Sequence, residues 1–483
     1  MNGIHQPAFF PILLRGDSMS GIRKVLVVSD LHLGNGGGYD IFAGENDLPA
    51  LLRSFAGPER CVVLNGDSVD FLMNEDPLEL NEARAVSQAQ AICRHPASAA
   101  SLRALGDVLA AGGDVIIRLG NHDIELALPG VQACLRAALG QPAEIAAKLR
   151  FERGDKPGIL AIGGVRVLLA HGEQNDIWNR VDYLHLPGPD GPPEAQAQDY
   201  AYAPGSRLVK TIMNPLKRQH GLSLIDLIKP DFQGGVLTAM AVSPSALKEV
   251  FKGSSVEILW QLEQKKSGAA TFVAPDPDDL GLETAIENAG LDEDERAMLE
   301  AMFTPSTGRA HSFALDFSIL QSAQQKLFRS GLRWYAGAQR NLAKGKGQRF
   351  YSFEPEVSEW NEAQRLAQKF NVQAVLFGHT HAARFQHADG LCYVNSGTWI
   401  RLIQLPPDDA DDDTWAEFLA LARRNPQLNP EKGDMVPLFT RFTAALVEAN
   451  EAEGGAQISL VEWKDQALTV HHSARVPAAQ GGA

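Results

Sequence analysis

Val25-Leu26-Val27-Val28-Ser29-Asp30-Leu31-His32-Leu33-Gly34 decides the fold. Its first four residues are aliphatic and mostly β-branched, with no polar break, as in a strand buried on both faces. At the carboxyl end stand an aspartate and a histidine two residues apart, where a turn can aim both side chains into one pocket. The pattern recurs four times. Residues 61–64 lead into Asn65-Gly66-Asp67, and residues 115–117 into Gly120-Asn121-His122-Asp123. Residues 165–169 lead into Ala170-His171-Gly172, and residues 374–377 into Gly378-His379-Thr380-His381. Open α/β sheets gather their sites at the carboxyl ends of strands.

Between these runs lie helical stretches near 47–56, 79–111 and 131–149, so residues 19–186 read as the first part of an α/β core. The Pro/Gly-rich stretch from Pro187 to Pro193 then changes the pattern. Helical periodicity dominates from about 206 to 369, so 187–370 is expected to be a mainly helical cap inserted between two core motifs. The core resumes over 371–473 and closes with a hairpin around Lys464-Asp465-Gln466. Residues 1–18 read as an appendage with Met19 as a possible native start, residues 474–483 as a disordered tail, and the acidic run 408–413 as a solvated loop. The expected fold is a layered α/β sandwich: two mixed sheets face to face, helices outside, and the helical cap.

The length of 483 residues fits a core plus an insertion. A net charge of −15 disfavours duplex DNA as the main partner, because phosphate contact demands a basic surface. It leaves phosphate substrates open, since bound dications reverse the local field. No apolar run is long enough to span a bilayer, and no basic segment precedes residues 9–14 to make a signal peptide. The four cysteines form no CxxC pair and read as reduced thiols, so the chain is expected in the cytoplasm.

Asp30, His32, Asp67, Asn121, His171, His379 and His381 make an oxygen and nitrogen donor set with no thiolate. Such a set suits two divalent cations, manganese first, with iron or zinc as alternatives. The Asp67 carboxylate has two oxygens and can bridge them. Ions ~3.5–4 Å apart can share a hydroxide that attacks phosphorus in line.

These motifs resemble the calcineurin-like metallophosphoesterases, whose pattern is D-x-H, G-D, G-N-H-[DE], H and G-H-x-H. All five elements are present, spanning residues 24–175 and 372–400, about a third of the chain. The resemblance implies that Asp30, His32 and His381 hold one metal, that Asn121, His171 and His379 hold the second, and that Asp67 bridges. It implies that His122 protonates the leaving oxygen, steadied by Asp123. Within the family, Ser-Asp-Leu-His-Leu-Gly and Gly-His-Thr-His resemble the UDP-2,3-diacylglucosamine hydrolase branch, which cleaves a pyrophosphate under a helical cap. The insertion here is larger. The superfamily's DNA repair nucleases share Asp-x-His-Leu-Gly and Gly-Asn-His-Asp.

Other residues carry open readings. Asp176 and Asn179 are candidates for substrate contact, for bracing an imidazole or for a helix cap. Asp70 is a candidate for orienting a ligand or for capping. His185, His220, His311 and the pair His471-His472 read as ordinary surface or interface residues. Lys326, Arg329, Arg333, Arg340 and Lys344 fall on one helical face in a stretch without acids. Arg329, Arg333 and Arg340 are the candidates there for binding substrate phosphate, a lipid head-group layer or single-stranded nucleic acid. The sequence thus points to a hydrolase of a small or amphiphilic phosphate, with peripheral membrane contact open. A manganese-dependent nuclease of single-stranded or damaged DNA and a metal-retaining scaffold are the alternatives.

Overall fold

A computed structural model describes residues 12–13, 21–228 except 194, residue 242, and 351–478 except 404, 407–409 and 451. Two mixed sheets stack face to face. The first contains β2 (Lys24–Val28), β3 (Arg60–Asn65), β4 (Asp114–Arg118), β5 (Arg150–Glu152), β13 (Thr443–Ala449), β14 (Ala456–Lys464) and β15 (Ala467–Val476), in the order β15-β14-β13-β2-β3-β4-β5. Strands β2 to β5 are parallel, whereas β13 meets β2 antiparallel and leads into the β14–β15 pair. The second has the order β1-β6-β7-β8-β10-β9. Its members are β1 (Ile12–Leu13), β6 (Gly158–Ile162), β7 (Val165–Leu169), β8 (Ala374–Phe377), β9 (Ala383–Ala388) and β10 (Leu391–Ser396).

Burial on both faces explains the unbroken apolar runs. Along β2, Val25 and Val27 point between the sheets, where they meet Leu160, Val167, Leu376 and Val394. Leu26 and Val28 point outward to α1 (Asp47–Ser54), α2 (Glu82–Arg94), α3 (Pro96–Ala110) and α4 (Pro129–Ala138). On the other sheet, Leu168, Val375 and Phe377 pack against Ala363, Leu366 and Phe370 of a helix over Val357–Phe370. The result is helix, sheet, sheet, helix.

Local chemistry sets the helix starts. Asn81 caps α2 through Arg84 N, and Pro96 opens α3, where a missing N–H costs nothing. Asp411 caps the helix Asp412–Arg424 through Thr414 N, so the end of the acidic run begins a helix and is not a loop.

Two boundaries differ from the sequence reading. Ile12 and Leu13, within the expected appendage, pair parallel with β6. Strand β15 runs to Val476, three residues into the expected tail, because Val476 is fully buried between the sheets. The β14–β15 turn carries Asp465 and Gln466 at φ 52° and 61°, the hand that matches strand twist in a tight hairpin.

Of the insertion, residues 204–228 form α6 (Pro204–Leu208), a π turn (Val209–Met213), α7 (Asn214–His220) and a 3-10 turn (Ser223–Leu227). Leu208, Ile212, Leu216, Leu222 and Leu224 pack on Ile400, Leu402, Trp415 and Phe418 in a core of their own. Fully burying each such leucine contributes roughly 1.5–3 kcal/mol. Tyr351 and Ile228 both pack on this cluster, so the two described limbs of the insertion meet there. Residues 229–241 and 243–350, Arg329, Arg333 and Arg340 among them, lie outside the described residues. Among the described residues no helix is long and apolar enough to cross a membrane.

Candidate metal centre

The motifs following β2, β3, β4, β7 and β8 meet at one end of the sheets. Loop backbones are stitched together there: Asp30 N donates to Gly66 O, His32 N to Asp67 O, and Gly378 N to His171 O. Asp30, His32, Asp67, His379 and His381 all have positive φ, between 49° and 69°. Side chains other than glycine seldom adopt this region, and each such residue costs on the order of 1–3 kcal/mol. Five held this way at strand ends mark a backbone shaped to aim side chains. Glycine serves the same packing: a Cβ on Gly66 would fall 2.3 Å from the His171 ring, and one on Gly120 would fall 2.2 Å from Asp67 Oδ1.

Among the described residues, three groups of side chains could hold a metal ion: Asp30, His32 and His381; His32, Asp67 and His122; and Asp67, His171 and His379. Within each group the donor atoms lie within 4.8 Å of one another. His32 Nε2 is 3.3 Å from His381 Nε2, and His171 Nε2 is 3.3 Å from Asp67 Oδ2. Asn121 Oδ1 is buried without a hydrogen bond, and Asp30 Oδ1 has His381 Nε2 3.4 Å away. Buried polar atoms are ordinarily satisfied, so these two oxygens in one pocket fit a cation that would engage them.

Each imidazole is held by its other nitrogen or its neighbours. His171 Nδ1 lies 2.9 Å from Asn65 O, which fixes Nε2 toward Asp67. His379 Nε2 lies 3.0 Å from Asp176 Oδ2, and Asp176 in turn accepts from Asn179 Nδ2 at 2.6 Å and from Trp178 N. Of the readings open for these residues, Asp176 meets the imidazole and Asn179 meets Asp176. His32 Nδ1 lies 2.8 Å from Asp70 Oδ2, and His122 Nδ1 lies 3.2 Å from the same oxygen.

The last contact corrects an expectation. Asp123 does not reach His122. It accepts from Ser68 N, Ser68 Oγ and Gly120 N, and so ties two motif loops together. Asp70 orients His122 instead, and its other oxygen accepts from Leu72 N and Met73 N, so it also caps a turn. His185 sits exposed beside Asp182, and His471 pairs with Glu462 far from these loops. His311 lies outside the described residues.

Charges follow this geometry. Burial alone would raise the Asp67 carboxyl, but His171, His122 and His32 outweigh it and hold it well below the usual range. Burial raises Asp30, with His171 opposing. Burial, reinforced by the Asp67 charge, pushes Asp123 up to about 7. Burial would lower His171, yet Asp67 and Asp30 overcome it and hold its proton well above the usual pH.

A cation reaching Asp67 must displace that proton. Divalent-metal affinity should therefore fall as pH falls, because the protonated His171 persists below its raised pKa and competes. A competition titration across neutral pH checks this, and affinity independent of pH would contradict it.

No family model matches this chain, and no curated protein does either. A solved structure, a phosphopantetheinyl hydrolase (PptH) from Mycobacterium tuberculosis, is similar at 12% identity over 81% of this chain and 99% of that one. Its TM-score is 0.24. That likeness is too loose to argue from. The side chains that could hold metal carry the reading instead.

Proposed function

We propose that this protein is a binuclear metallophosphoesterase that cleaves a phosphoester or pyrophosphate bond. The observation that carries the reading is Asp67, which belongs at once to the group with His32 and the group with His171 and His379. Asp30, His32 and His381 would hold one cation, with Asn121, His171 and His379 holding the other. Two bound divalent ions, manganese in this reading, supply Lewis acidity and a water of lowered pKa.

The chain's own residues do the rest. Asp70 stays ionised and accepts a hydrogen bond from Nδ1–H of His122, which aims the protonated Nε2 at the leaving oxygen, to which it gives its proton. Although His122 also falls within metal-binding distance of His32 and Asp67, its side chain is the most exposed of the five imidazoles, at 15% against 12% for His379, 9% for His381 and 1% for His32 and His171. A proton donor must be reached by substrate, so the acid role suits it better.

Purified protein should be assayed with manganese on bis-p-nitrophenyl phosphate, p-nitrophenyl phosphate, UDP-sugar pyrophosphates and single-stranded DNA. Cleavage of a small phosphate or pyrophosphate supports the reading, and preference for DNA would favour a nuclease. Bound metal without cleavage of any of them would overturn it.

The insertion should select the substrate, because the motif loops fix chemistry and are indifferent to the remainder of the molecule. Replacing residues 229–350 by a short linker keeps the buried 204–228 segment and removes Arg329, Arg333 and Arg340. The variant should still hydrolyse a small diester, while losing affinity for larger anionic substrates and the salt dependence of KM. An unchanged substrate ranking would refute this role.

A further inference from the structure

One helical segment of the insertion clamps the loop that follows Asp70. Asn214, 4% exposed, donates from Nδ2 to Leu72 O at 2.8 Å and to Asn74 O at 2.9 Å. Lys210 donates to Asn74 O at 3.0 Å, to Asp76 O at 3.1 Å and to Asn74 Oδ1. Lys217, one turn further along the same face, reaches Tyr39 O and is anchored by buried Asp226. These contacts require a distorted helix. Pro215 has no N–H to return to the preceding turn, and the π turn over Val209–Met213 lies just before it.

The Leu72 carbonyl and the Met73 N–H belong to one peptide unit, which is planar and moves as a piece. Asn214 holds the carbonyl side. The N–H side donates to Asp70 Oδ1 at 3.0 Å. The same carboxylate braces His32 and His122 through Oδ2. A run of two hydrogen bonds and one rigid plane therefore leads from the insertion to the Asp70 carboxylate, and from there to both imidazoles. Hydrogen bonds in such a chain polarise one another.

We infer that Asn214 and Lys210 are positioning residues of the centre: Asn214 holds the Leu72–Met73 peptide directly, Lys210 holds Asn74, whose N–H donates to Leu72 O, and through that peptide and Asp70 they set the orientation of His32 and His122. The insertion is then part of the catalytic apparatus as well as a cover for substrate. This inference deepens the phosphoesterase reading and rests on it for its kinetic arm alone.

The test uses the full chain with Asn214→Ala, Lys210→Met, Lys210→Arg and Arg218→Gln. Arg218 meets the same loop from the surface, at the Glu75 side chain 3.3 Å away, outside the hydrogen bonds that lead through Asn74 and Leu72 to Asp70. In the metal-free protein, imidazole 15N resonances of His32 and His122 should move in Asn214→Ala and Lys210→Met, while those of His171 and His379 stay. On bis-p-nitrophenyl phosphate with manganese, kcat should fall about 10-fold in these two variants, the lower end for losing an outer partner of a metal site. KM should be unchanged. Lys210→Arg should recover most of the loss, and Arg218→Gln should match the parent.

If Asn214→Ala fails to fold, Lys210→Met carries the same test. Resonances and kcat that match the parent would overturn the inference, as would equal damage from Arg218→Gln. A parent that binds manganese and cleaves no phosphate would overturn the functional reading instead, and the resonance arm would still decide this one.

Discussion

Asp67→Asn should abolish nearly all turnover and release at least one metal ion. The change keeps shape and keeps an Oδ1 acceptor for His122 N, which lies 2.8 Å away, so the loop should hold. What disappears is the charge. Three imidazoles now hold that carboxyl ionised, and it belongs both to the group with His32 and to the group with His171 and His379 that could hold a metal. Loss of an outer hydrogen bond in a metal site costs roughly 10–100-fold, and loss of a bridging ligand should exceed it. A second consequence needs no metal. Because Asp67 is the main charge holding the proton on His171, the His171 pKa should drop in the variant, as ring NMR would show. Two ions still bound at a near-normal rate would sink the bridging assignment.

His122→Ala should behave differently. Its metal content should match the parent, while turnover falls on the order of 10²–10⁴-fold, the usual contribution of a general acid. The loss should shrink for esters with good leaving groups, which need little protonation. An equal loss for every leaving group would assign His122 to phosphate binding, and loss of an ion would make it a ligand. Asp70→Asn should reproduce the leaving-group dependence and also disturb His32, since one carboxylate oxygen serves both rings.

The sandwich was legible because its strands are buried on both faces. Val25 to Val28 alternate between the inter-sheet core and the helices, and that demand leaves an unbroken apolar run in the sequence. Part of the candidate site was legible because two of its pairs are local: Asp30 with His32, and His379 with His381, sit two residues apart on turns. Partners far apart in sequence were not legible. Nothing in Gly-Asn-His-Asp says that its histidine leans on Asp70, 52 residues earlier, rather than on the adjacent Asp123. Asn214 and Lys210 carried no signal either, since an amide and an amine in a helical stretch read as surface. Only the close approach of the Leu72–Asp76 loop makes them interior donors. The end of β15 is hidden in the sequence for a related reason, because Ala474 and Val476 are buried by a sheet built from distant segments.

An equilibrium titration of the parent protein with manganese, with hydrolysis of bis-p-nitrophenyl phosphate followed on the same samples, decides whether the centre is binuclear. Two ions should bind per chain, with activity appearing as the second is taken up. Saturation at a single ion, or two bound ions with no hydrolysis, would contradict the binuclear phosphoesterase reading.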